Sequence, residues 1–201
     1  MSKIGILGGT FNPIHNGHIQ LAEYCKSELN LNRIIFIPTY TPPHKVSKEL
    51  ANETHRLKMC DIACKNFADF EVSDVEIKRK GKSYTYQTLN SLKEQYPDDE
   101  LCLIMGADMF LSLDKWKNPD SIFSCATMVT IPRDKSDYDD LRNYYDSVLS
   151  VRGAKAVILL KPVLMVSSTY IRDNIKNFDI IKNLVDKDVY EYIMNNNLYR
   201  M

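Results

Sequence analysis

A short apolar run, Lys3-Ile4-Gly5-Ile6-Leu7, is followed at once by Gly8 and Gly9 and then by the start of a helical pattern. His18, Ala22, Cys25 and Leu29 recur at helical spacing with Leu21 beside them, which predicts a helix beginning near Gly17. A strand, a Gly-rich turn and a helix start in succession constrain the chain more than any other feature, because they build an anion site. Gly8 and Gly9 can take backbone angles that residues with a Cβ avoid, and they let a ligand approach the main chain closely. The unpaired N–H groups and the dipole at the helix start then favour a phosphate there.

The span His15-Asn16-Gly17-His18 puts two imidazoles at that helix start. Both can point into the space where a phosphate would rest and donate hydrogen bonds to its oxygens, more strongly when protonated. The alternatives are a metal pair, or two histidines that cap and pack. No Cys, Asp or Glu sits beside them at ligand spacing, so no protein-held metal is expected.

With 201 residues the chain is expected to form one domain, residues 1–201, with a substantial core. Its 26 basic and 26 acidic residues cancel, which argues against a nucleic-acid or membrane partner. No apolar run approaches transmembrane length, and the N-terminus reads as a strand rather than a signal peptide. The five cysteines form no CxxC pair, and Cys60 and Cys64 suit helix packing, which fits a reducing cytoplasm.

Near-continuous apolar strands are expected at residues 33–37, 100–105, 126–131 and 156–160, with a short one at 70–72. Helices between them predict an α/β fold, a Rossmann-like doubly wound parallel sheet with helices on both faces and the site at its carboxyl edge. One helix is expected over 49–67, with Leu50, Leu57, Cys60, Cys64 and Phe67 on one face and His55 off it. Asp74 to Lys82 reads as a polar connection turning at Gly81. Ser83 or Thr85 is expected to cap the helix that stops at Pro97. Asp108, just past a strand end, can accept from a ribose hydroxyl or cap the next helix. The lone Trp116 suits core or interface. Asp134 to Asp140 reads as a solvated connection before a helix over 139–150. Ser167 or Ser168 is a natural N-cap, with Arg172 one turn beyond Ser168.

Gly9-Thr10-Phe11-Asn12-Pro13 with His15-Asn16-Gly17-His18 resembles the signature of the HxGH nucleotidyltransferase superfamily, with Asn12 where many relatives carry Asp. Thr39-Tyr40-Thr41-Pro42-Pro43-His44-Lys45 resembles its positively charged substrate loop. Ser83-Tyr84-Thr85 with Thr88-Leu89, and Met105-Gly106-Ala107-Asp108 with Leu113-Asp114-Lys115-Trp116, resemble segments of the bacterial nicotinate-nucleotide adenylyltransferases. Val166-Ser167-Ser168-Thr169-Tyr170-Ile171-Arg172 resembles that family's triphosphate motif.

The resemblance implies transfer of AMP from ATP to nicotinate mononucleotide, with Mg²⁺ bound mainly through ATP phosphates. His18, Arg172 and His15 would carry the catalysis. Gly9, Thr10, Phe11, Gly106, Asp108, Ser167, Ser168 and Thr169 would join them around ATP. His44, Lys45, Tyr84, Thr85, Trp116 and Arg133 would hold the acceptor. Nicotinamide mononucleotide and pantetheine phosphate stay open as acceptors, as does a non-catalytic nucleotide-binding protein. A homodimer is left open. A tRNA synthetase fragment is disfavoured by the short chain and its neutral charge.

Overall fold

The computed structural model describes residues 1–42, 50–132, 134–160 and 166–199. Its sheet has six strands: β1 (Lys3–Gly9), β2 (Arg33–Pro38), β3 (Phe70–Val72), β4 (Glu100–Gly106), β5 (Ala126–Ile131) and β6 (Lys155–Ile158). They run parallel in the order β3-β2-β1-β4-β5-β6. The chain winds outward from β1 in one direction, then crosses to β4 and winds outward in the other. The switch between β1 and β4 leaves a crevice beyond their carboxyl ends.

Alternation along each strand sorts the apolar residues onto two faces. Ile4, Ile6, Ile35, Ile37, Leu101, Leu103 and Met105 pack under α4 (Thr85–Gln95), α5 (Ala107–Phe110), α6 (Pro119–Cys125) and α7 (Lys135–Tyr144). Leu7, Ile34, Phe36, Cys102 and Ile104 face the opposite way. They pack under α1 (Asn16–Leu29), α2 (Glu53–Cys64), α8 (Ser168–Asp173), α9 (Phe178–Ile181) and α10 (Lys187–Asn195). Both faces are covered, which is why β1, β2 and β4 read as apolar runs. Gly5 is part of that packing: a Cβ there would lie 2.3 Å from Ile34 Cδ1.

Three local expectations are corrected. The second helix spans only Glu53–Cys64, so Leu50 and Phe67 lie outside it. Its buried stripe runs through Arg56, Met59, Cys60, Ala63 and Cys64, with Leu57 beside it rather than on it. The expected polar connection contains a short helix, α3 (Val75–Arg79), which buries Glu76. The acidic run after β5 is a helix start, because the Asp134 carboxylate accepts from the Asp137 N–H and α7 begins at Lys135. That helix starts earlier than the expected residue 139 and continues in wider turns at Tyr145–Leu149 and a tighter one at Ser150–Arg152. Of the five free cysteines, Cys25, Cys60, Cys64 and Cys102 are buried. No helix among the described residues is long and apolar enough to cross a membrane.

Candidate functional site

A cavity of about 700 Å³ opens at the β1/β4 switch point, a volume suited to ligands of nucleotide size. Gly8 ends the exposed side of β1 and Gly106 ends β4, and a Cβ built on either would meet no heavy atom within 4 Å. Both glycines therefore leave open the volume a ligand would fill. Neither Gly8 nor Gly9 uses a positive φ, contrary to expectation; the left-handed residue of this turn is Phe11, at φ 46°. The Phe11 ring lies against Gly9, whose added Cβ would approach it to 3.0 Å, and stands edge-on to His18 at 4.9 Å. Gly8→Val is accordingly expected to raise KM for ATP about tenfold, the loss of one or two apolar-sized contacts, with the melting temperature little changed. Steady-state kinetics and a thermal melt check both halves.

His15 is the N-cap of α1, and its backbone N–H donates to His18 Nδ1 at 3.2 Å. The accepting Nδ1 fixes the neutral tautomer of His18 with its proton on Nε2. The rings stack at 3.6 Å between centroids, and both line the cavity. The stronger, protonated donors are not the resting state. Burial pushes His15 down to about 4, and burial with the neighbouring His15 holds His18 well below the ordinary histidine value. An anion at the cavity edge of the stacked rings would oppose this, since opposite charge favours the protonated form.

A pH dependence follows, and its sign is set by the unfolded chain. Unfolded histidine titrates near 6.5, so between pH 6.5 and 4 the unfolded state binds more protons than the folded one. Stability is thus present above pH 6.5 and falls with pH, by about 3 kcal/mol for His15 at 1.36 kcal/mol per pKa unit. Chemical denaturation from pH 7 to pH 4.5 is expected to show this loss without nucleotide and a smaller one with saturating ATP.

The second motif meets the first across the fold. Ser167 caps α8, its Oγ accepting from the Tyr170 N–H at 3.1 Å. The Ser168 hydroxyl donates to the Pro13 carbonyl at 2.8 Å across 155 positions of sequence. Arg172 Nη1 donates to the Asn12 carbonyl at 2.9 Å, and Nη2 to Thr169 Oγ1 at 3.4 Å. Asn12 is the junction. Its Oδ1 accepts from the Ala51 N–H at 3.0 Å and from the Tyr199 hydroxyl at 2.9 Å. Ser168 reaches the cavity wall, as do Thr10, Phe11 and Asp108, whereas Ser167, Thr169 and Arg172 do not.

The opposite wall carries the start of α4. Tyr84, Thr85 and Thr88 line it, as do Trp116, Met109 and Ser112. The N-cap of α4 is Tyr84, with no side-chain hydrogen bond, so neither Ser83 nor Thr85 caps it. Ser83 is buried instead, its Oγ accepting from the Tyr40 N–H at 2.9 Å. Asp108 is likewise not an N-cap: Gly106 holds that position, and Asp108 lies inside the first turn of α5. Trp116 is half-buried, packed against the core and lining the cavity, with its indole N–H directed at Ser112 Oγ, 3.4 Å away. Glu76 also lines this end and accepts from the Thr88 hydroxyl at 2.6 Å. Sequence reasoning passed over Glu76, although its place one turn before Lys80 in a capped pattern after Asp74 was a usable signal. His44, Lys45 and Arg133 lie outside the described residues.

Comparison with known proteins agrees with this architecture. The cytidylyltransferase-like family matches residues 6–174. A probable nicotinate-nucleotide adenylyltransferase of Clostridium novyi (strain NT) is 40% identical over 200 residues, covering 100% of both chains. The protein with the same description from Desulfitobacterium hafniense (strain Y51) is 39% identical over 203 residues, covering 99% of this chain and 96% of that one. Among solved structures, nicotinic acid mononucleotide adenylyltransferase of Plasmodium falciparum complexed with NaAD superposes with a TM-score of 0.78. It shares 19% identity and covers 99% of this chain and 98% of its own, a likeness of fold. The cavity at the switch point, the two joined motifs beside it and these full-length relatives agree, and the chain belongs to the nicotinate-nucleotide adenylyltransferase family of cytidylyltransferase-like proteins.

Proposed function

We propose that this chain, read as one nucleotidyltransferase domain, transfers AMP from ATP to nicotinate mononucleotide and releases pyrophosphate. The observation that carries the reading is that His15 and His18 and the start of α4 with Trp116 line one and the same cavity; the first pair would serve as its phosphate end and the second as its acceptor end.

The acceptor's phosphate monoester has a second pKa of about 6 and is mostly dianionic at neutral pH, so it attacks without a general base. Its oxygen bonds to the α-phosphorus of ATP while the bond from that phosphorus to the bridging oxygen breaks. The electron pair leaves with pyrophosphate. The protein's work is alignment and neutralisation of the charge that grows on the leaving group. His18 offers Nε2–H while its Nδ1 keeps the His15 N–H, and the His15 ring stacks on it at the cavity wall. Arg172 brings its guanidinium to the Asn12 carbonyl, and Ser168 holds the Pro13 carbonyl. ATP enters as its Mg²⁺ complex, an ion that binds chiefly through substrate phosphates and water. Among the described residues no group of three or more His, Cys, Asp or Glu is placed to hold a metal.

Preference for acid over amide rests on the start of α4. Its N-cap, Tyr84, makes no side-chain capping bond, and a helix start favours a carboxylate over a neutral carboxamide. Trp116 supplies a face for the pyridine ring. The test is pyrophosphate release from ATP against a panel of nicotinate mononucleotide, nicotinamide mononucleotide and pantetheine phosphate. Turnover with the acid at least tenfold above the amide supports the reading. Equal rates, or release only with pantetheine phosphate, would move the assignment of the acceptor. Binding of ATP without release would make the chain a nucleotide-binding protein.

A further inference from the structure

Arg56 has no exposed surface and is among the largest fully buried side chains of the molecule. It sits in the stripe of α2 that otherwise carries Met59, Cys60, Ala63 and Cys64. An apolar side chain of similar volume would fill that space without taking a charge out of water. The guanidinium instead donates to three carbonyls on three separate segments. Nη1 reaches Thr10 at 2.9 Å, Nη2 reaches Tyr40 at 3.1 Å, and Nε reaches Ala51 at 3.0 Å. Among the described residues no carboxylate comes within salt-bridge distance of it. A cation that is needed for its charge finds a carboxylate; one that holds three carbonyls at fixed directions is used for its planar fork.

The three segments border the two ends of the cavity. Thr10 follows β1 in the wall of the phosphate end. The Ala51 N–H continues to Asn12 Oδ1, and the Asn12 carbonyl takes Arg172. The Tyr40 N–H continues to Ser83 Oγ, directly ahead of the start of α4 at the acceptor end. We propose that Arg56 is a positioning residue for adenylyl transfer: it locks the loop after β1 to the loop after β2, and so sets the two phosphates in line. The assignment rests on the transferase reading above. It does not require Arg56 to touch either substrate, and its loss is therefore expected in turnover more than in binding.

The test compares Arg56→Lys and Arg56→Met with the wild type. Lys keeps the charge but cannot span three carbonyls, so both variants are expected to lose about 10- to 100-fold in kcat, the scale of a misalignment near 1 Å. KM for ATP and for nicotinate mononucleotide is expected to stay within threefold, a limit on the order of 0.7 kcal/mol or less. Amide exchange is expected to quicken at residues 9–12, 39–42 and 51–54 and not in β4 or β5. Kinetic values are taken per folded molecule, with the folded fraction read from near-ultraviolet circular dichroism. Should the Met variant fail to fold, the Lys variant alone decides. A normal kcat in folded Arg56→Lys, a raised KM at unchanged kcat, or faster exchange spread evenly over the sheet would overturn the proposal. If the wild type itself releases no pyrophosphate, the transferase reading fails, and the exchange pattern still decides whether Arg56 locks the two loops.

Discussion

His18→Ala is expected to lower kcat about 10²- to 10³-fold, the usual consequence of deleting one preorganised donor at a site of developing charge. The Nδ1 of His18 is already committed to the His15 N–H, so Nε2–H is the atom left to meet the leaving pyrophosphate. The ring also faces Phe11 and stacks on His15, so removing it loosens the start of α1. Loss of a helix cap is worth about 1 kcal/mol, which lowers the melting temperature by a few degrees and leaves the sheet intact. Turnover at saturating ATP and acceptor, with a thermal melt of the same preparation, checks both. Near-normal turnover would take His18 out of the mechanism. His18→Gln keeps an N–H donor that cannot become cationic, and it is expected to fall between the two.

Arg172→Ala is expected to lose as much, and through two routes. A positive charge held behind the turn after β1 is removed, and the buried Asn12 carbonyl loses a charged donor. A hydrogen bond to a charged group contributes about 1.5–3 kcal/mol, so this variant is expected to melt lower than His18→Ala. Arg172→Lys separates the routes: it restores the charge without the fork that spans Asn12 and Thr169. Recovery of roughly tenfold in kcat by Lys over Ala assigns the larger share to charge, as expected of a group neutralising a leaving anion. A Lys variant no better than Ala would assign it to the geometry of the Asn12 turn. In the double variant with His18→Ala, the losses are expected to fall short of their sum, because both residues serve one ligand.

Much of this arrangement could be read from residue order, and the misses share a cause. The strand, turn and helix around His15 and His18 were legible because each local signal pointed the same way. The existence of β1, β2, β4 and β5 as strands buried on both faces followed from their apolar runs. The role of Gly8 came half right: close approach holds, while the unusual backbone angle belongs to Phe11, and no composition rule marks a phenylalanine for it. Arg56 was invisible because a charged residue in a helical stripe reads as solvent-facing. Only the three carbonyls that it meets, on segments far apart in the chain, explain its burial. Asn12 read as a mild variation on a family motif and proves to be where Ala51, Tyr199 and Arg172 converge. The expected caps at Ser83 and Asp108 failed for a related reason. Ser83 answers the Tyr40 amide of a distant loop, a demand that local propensity does not encode.

In the proposed mechanism the turn after β1 and the start of α8 grip the same polyphosphate. A crystal structure with a non-hydrolysable ATP analogue tests it most directly. The triphosphate is expected within hydrogen-bond distance of both His18 Nε2 and the Arg172 guanidinium, over Gly8. A triphosphate bound by one of them alone, or seated against Trp116 and the start of α4, would contradict it.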